Sequence, residues 1–190
     1  LPEVVFGHRA VAWWATVTFM VIEGTTILVS LVAYFYLRRN FDVWPPPPTE
    51  LPEWQSPTAS LVVLLLIIAP MWYAGHATRK FDLRGVRIGL WISLALGLLV
   101  LILRAFDFVA LNTRWDEHAY GSIVWILVFF HGTLLLVDFA ETLGFLALTY
   151  SPKLTAKHFS DVEDASLYQY FLSLSWIPIY VVVYLGPRFL

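Results

Sequence analysis

No cysteine occurs anywhere in the 190 residues. Its absence removes disulfides and thiolate metal ligands and leaves the compartment open. Charge is scarce as well, with Asp, Glu, Lys and Arg making up only 14%. The net charge of −2 gives no sign of a nucleic-acid partner. A glycine-rich phosphate loop is missing, and no apolar run holds an HxxxH pair or a Glu-x-x-His repeat. Nucleotide binding, a multi-histidine copper site and a di-iron carboxylate site therefore find no support. Nor is there a short hydrophobic segment with a small-residue cleavage site of the secretory kind.

What is abundant is apolar surface. Hydrophobic residues make up 59% and aromatics 17%, and the mean hydropathy is +0.71. Soluble domains hold roughly 45–50% apolar residues even with glycine counted. The expected fold class is all-α, a polytopic membrane helical bundle of five transmembrane helices. It is read as a single membrane domain over residues 1–190, with spans at about 10–37, 59–77, 86–111, 119–150 and 167–185. The first span alone would make about 42 Å of helix, enough to cross a bilayer with tilt or overhang. Trp44-Pro45-Pro46-Pro47-Pro48 predicts a stiff extended connector after it. Pro70 and Pro178 predict kinks inside the second and fifth spans, and the polar stretch after Ser151-Pro152 reads as a loop.

Polar side chains inside these spans are the candidates for function, because ionisable groups at membrane depth are costly. Glu23 interrupts the first span, on a stripe with Thr16, Thr26 and Ser30. The fourth span holds His131, Asp138 and Glu141, and the last two share a face. Near the end of the third, Arg104 and Asp107 stand three apart and are expected to pair. Counted from opposite span ends, Glu23 and His131 fall at similar depth. A Glu23–His131 hydrogen bond, direct or through water, is therefore expected. Glu23, His131, Asp138 and Glu141 also suggest a proton relay of the kind found in pumps.

Only His131 among the five histidines lies deep in a span, so no matched pair can hold a haem, and no metal site is expected. Lys and Arg number seven on the amino-terminal side of the spans and five opposite, with one compact basic turn at Arg79, Lys80, Arg84 and Arg87. The amino terminus is expected inside and the carboxy terminus outside.

Four stretches together are similar to a known family. Glu23 is followed by Ala33-Tyr34-Phe35-Tyr36-Leu37-Arg38, then by the Trp44–Pro48 connector. Next come Arg104-Ala105-Phe106-Asp107-Phe108, and Ala119-Tyr120-Gly121-Ser122 with Phe130-His131-Gly132. In order and spacing they resemble subunit III of haem-copper terminal oxidases (cytochrome c oxidase), in its shorter five-helix bacterial form. The chain is divergent. Asp107 stands where the family usually has Glu, Thr133 to Val137 supplies no second His, and Tyr170 and Ser173 take the family's His and Asp positions.

The resemblance implies a subunit without a catalytic site or cofactor of its own, in a bacterial cytoplasmic (inner) membrane. It would sit beside catalytic subunit I, and with subunit II, in a complex whose haem and copper belong to the partner. The family holds structural phospholipids in a V-shaped cleft and supports proton uptake. Glu23 matches its intramembrane acid, and Asp107 and His131 follow by position. Arg9, Trp13 and Trp14 are further candidates for lipid head groups, although no motif assigns them. The alternatives are an accessory subunit of a nitric-oxide reductase and a stand-alone proton or solute transporter.

Overall fold

Charged or proline-bearing turns separate the apolar runs, and each run winds into one long helix. The computed structural model describes residues 6–189, and no strand occurs among them. A single 3-10 turn, Gly7–Arg9, leads into α1, Val11–Arg38. Then follow α2, Gln55–Arg79, α3, Leu83–Val109, α4, Ala119–Leu148, and α5, Lys157–Tyr180. A π-helical turn, Val181–Leu185, and a final turn, α6, Gly186–Phe189, continue α5. Five of these helices are long and apolar enough to cross a membrane.

The fifth helix begins ten residues before the expected span. Lys157 to Ser166 is helical rather than loop because its polar residues share the turn with Phe159, Val162 and Ala165, which are buried. Asp161, Glu163 and Asp164 fall in the turns that follow the first, which itself carries no acid. Likewise α2 starts at Gln55, before the expected boundary, so Ser56 is helical.

Helix α5 is the hub of the bundle and packs on α1, α2 and α4, while α2 packs closely along α3. That approach needs Gly89, since a Cβ there would stand 2.7 Å from both the Pro70 carbonyl oxygen and the Ala74 side chain. The turn between α2 and α3 places Phe81 at φ 54°. Asp82 then caps α3 by accepting from Arg84 N–H at 3.1 Å. His118 caps α4 by accepting from Gly121 N–H at 3.0 Å. A side chain at Gly121 would collide with the Arg114 carbonyl, a close approach only glycine allows. The proline connector is folded against the bundle, with Trp44 edge-on to Tyr34 at 5.5 Å and to Tyr120 at 5.1 Å.

Helix α1 is the least embedded element. Only Ile27, Leu31 and Tyr34 of it are buried, and Phe19, Val21, Ile22, Leu28, Val29 and Val32 all face outward. A surface so apolar belongs against acyl chains or another membrane helix.

Candidate functional site

Two polar regions lie inside the apolar bundle. The first is closed and is built where α2, α3, α4 and α5 meet. Arg104 Nη1 lies 3.2 Å from Asp107 Oδ2, one helical turn along α3, as the spacing predicts. Asp107 is fully buried, and each of its carboxylate oxygens has a hydroxyl partner from α2. Ser56 donates to Oδ1 at 2.6 Å and Ser60 to Oδ2 at 2.7 Å. The Arg104 guanidinium lies over the Trp176 ring at 3.7 Å, a cation–π contact away from water. Tyr184 O–H donates to the Asp107 carbonyl at 2.9 Å, which ties the π-helical turn to the same point.

His131 completes this cluster. Its Nε2 is 3.0 Å from the Leu172 carbonyl, which can only accept, so the proton resides on Nε2. Its Nδ1 is 3.2 Å from Arg104 Nη2, a donor, and therefore accepts. Both ring nitrogens are thus occupied, and the ring lies 5.1 Å from Trp176.

The expected direct Glu23–His131 hydrogen bond is not made. Glu23 instead accepts from Tyr168 O–H at 2.8 Å. Depth along a helix sets the height of a side chain and says nothing of its azimuth. His131 faces α3 and α5 inside the bundle, whereas Glu23 looks into a gap between α1, α4 and α5. The rest of its stripe is partly self-satisfied: Thr26 donates to the Ile22 carbonyl at 3.0 Å and Ser30 to the Thr26 carbonyl at 2.8 Å.

That gap is the second region, an open cleft of about 430 Å³. Its floor and walls carry Glu23, Glu141, Asp161 and Asp164 beside Phe19, Val137 and Phe145. Among the described residues, no positively charged side chain lines it. Glu23 is half-buried here and Glu141 is exposed. Asp138, one turn before Glu141, points inward. It is 4% exposed, has no hydrogen-bond partner for Oδ1 among the described residues, and lines a void of about 10 Å³ with Ser93, Thr142 and Gln169.

Of the predicted residues, Arg104, Asp107 and His131 are brought together, Glu23 and Glu141 share the cleft, and Asp138 lies beside neither Glu23 nor His131 by any hydrogen bond. Among the candidate lipid contacts, Arg9 is exposed. Trp14 Nε1 donates to the His8 carbonyl at 2.9 Å, and Trp13 lines a separate pocket at the end of α2. The sequence did not single out Ser56, Ser60, Trp176, Tyr184 or Tyr168 as partners of these groups. The only local signal was the Ser56–Ser60 spacing of four, which puts both hydroxyls on one face. Among the described residues, no group of three or more His, Asp or Glu is placed to hold a metal ion.

Comparison with known proteins gives one consistent answer. The family model described as Cytochrome c oxidase subunit III matches residues 12–187. A protein of Thermostichus vulcanus named cytochrome c oxidase subunit 3 is 26% identical over 172 residues, 90% of this chain and 85% of that one. Its namesake in Synechocystis is 26% identical, with 94% and 77% covered. In Mycobacterium tuberculosis, a probable cytochrome c oxidase subunit 3 is 27% identical, with 87% of each chain covered.

Proposed function

The chain belongs to the cytochrome c oxidase subunit III family, and from that premise we propose how its two polar regions serve a haem-copper oxidase. The family is a non-catalytic component of such oxidases, and this chain is a multi-pass membrane protein of that kind. The observation that carries the assignment is the match over residues 12–187, which runs through all five long helices. Neither a nitric-oxide reductase accessory subunit nor a free-standing transporter is favoured by relatives that bear this name.

The partners are catalytic subunit I, which supplies haem and copper, and subunit II, in a bacterial cytoplasmic membrane with the amino terminus inside. In this reading Arg104, Asp107 and His131 have a structural duty, since the ion pair within α3 is tied to α2 through Ser56 and Ser60 and to α4 through His131. The Glu23 cleft has the mobile duty. Glu141, Asp161 and Asp164 lie toward the end of the bundle where α4 finishes and α5 starts, with Glu23 deeper along α1, and in this reading they take up protons from the cytoplasmic face. The apolar walls of the same cleft suit phospholipid chains, with Trp13, Trp14 and Arg9 at head-group height.

Purification in mild detergent tests the assignment. The chain is expected to travel with polypeptides that hold haem and copper and consume oxygen. A chain that runs alone and transports protons in liposomes would defeat it, as would one that travels with a reductase holding non-haem iron.

A further inference from the structure

Asp138 belongs to neither polar region. Its side chain is 4% exposed, and Ile67 of α2, Ser93 and Leu94 of α3, and Gln169 of α5 close around it. Oδ1 of Asp138 and Oγ of Ser93 are both sealed inside, and neither has a hydrogen-bond partner among the described residues. Gln169 turns its Nε2 to Ser173 Oγ, at 3.4 Å.

No counter-ion reaches this acid. Among the described residues, none that lines the void beside it is basic, and those from α2 and α3 carry no titratable group. Along α4 the nearest ionisable neighbour is Glu141, one turn on and of the same sign. From α5 comes Tyr168, within electrostatic reach and donating to Glu23. Arg104 is committed to Asp107 and stands about 16 Å along α3 from Ser93. On α4 itself, His131 lies about two turns back with both ring nitrogens engaged.

A carboxylate in such a place has lost its water and gained no cation, and the loss outweighs what a hydrogen bond returns. Oδ1 and Ser93 Oγ offer no surface to a metal ion or a solute. The void beside them, about 10 Å³, has the room of about one water. A proton needs no room. Bound to Asp138, it removes the charge and supplies an O–H donor where two acceptors have none.

We propose that Asp138 is a closed proton-binding site that stays occupied, so that the side chain is a neutral carboxylic acid which keeps its proton while the oxidase turns over. The acid on α4 that looks like one step of a relay is then a resident of the bundle, apart from the route through Glu23 and Glu141. This goes beyond the reading of the cleft and holds whether or not the cleft carries protons.

Infrared absorption tests it, because a carboxylic acid keeps a localised C=O bond and a carboxylate does not. The sample is the oxidase complex that contains this chain, isotope-labelled at its aspartate carboxyl carbons. It is held at about pH 8, well above the ordinary aspartate range. An acid C=O band that moves with the label is expected, equal in strength in the resting complex and during turnover with reductant and oxygen. It should be lost in Asp138→Asn and kept in Asp42→Asn, an exposed control. Asp138→Asn, neutral and of nearly the same shape, should assemble within about twofold of the natural yield.

Absence of any labelled acid band overturns the proposal, as does a band unchanged in Asp138→Asn. A band that bleaches during turnover makes Asp138 a carrier and overturns it. So does a band that added sodium abolishes, which would put a metal ion where the proton is placed. If Asp138→Glu assembles and Asp138→Asn does not, the fold needs the ionised form, and the proposal falls. The label, sodium and turnover arms use the unaltered complex, so they can overturn it even where neither variant assembles.

Discussion

Asp107 and Glu23 are both carboxylates at membrane depth, yet their surroundings are opposite. Asp107 is sealed between four helices, with an arginine, two serines and, through its backbone, a tyrosine fixed upon it. Glu23 has a single phenol and opens onto a cleft shared with three other acids. In the first case each carboxylate oxygen has a donor from the protein itself, which makes the group part of the framework. In the second the protein leaves room, and what fills it is exchangeable. An intramembrane acid is therefore not one kind of thing. Its meaning follows from whether its partners come from the same chain.

Breaking the closed cluster should have the largest effect. Arg104→Ala leaves Asp107 buried without its cation and is expected to cost about 3–5 kcal/mol. The loss should appear as dissociation of the chain from its complex and a lowered thermal midpoint. Joint replacement, Arg104→Met with Asp107→Leu, should recover much of that loss, because no charge is then left unpaired. Additive damage in the double variant would show that the pair does more than hold helices. Ser60→Val removes one donor from Asp107 and is expected to cost about 1–3 kcal/mol by the same measurement.

The open region should respond more mildly. Tyr168→Phe deletes the hydrogen bond to Glu23 and is expected to cost about 1 kcal/mol. Smallest of all should be Glu23→Lys. Judged by depth alone, a lysine there would be a buried cation without a partner. In the cleft it meets Glu141, Asp161 and Asp164 instead, so assembly is expected to stay within about 1 kcal/mol of the natural chain. Asp107→Lys, made in parallel, should prevent assembly. If the two lysines behave alike, the contrast between the regions is mistaken.

The five long helices could be read from hydropathy because each apolar run is about long enough to cross the hydrocarbon core of a bilayer. The Arg104–Asp107 pair was equally legible, since three residues along a helix fix both height and direction. Glu23 and His131 were different. Their common depth was readable, but the angle at which each leaves its helix depends on how α1 and α4 are rotated in the bundle, and hydropathy does not encode that. The same limit hid Trp176 and Tyr184, whose contacts with α3 are made across more than seventy residues of chain. The early start of α5 escaped for another reason. Its first turns are polar in composition and helical in packing, and a hydropathy boundary follows only composition.

The thin attachment of α1 has a consequence for how this molecule behaves outside its complex. With three buried residues in twenty-eight and one side-chain bond from Glu23 to α5, this helix should be the first to swing away when detergent replaces its natural surroundings. Its amide protons would then exchange with deuterium well before those of α2 and α3. Such a protein carries its weakest seam along the face it shows its neighbours, so the oxidase and the bilayer finish a tertiary structure that the polypeptide alone leaves ajar.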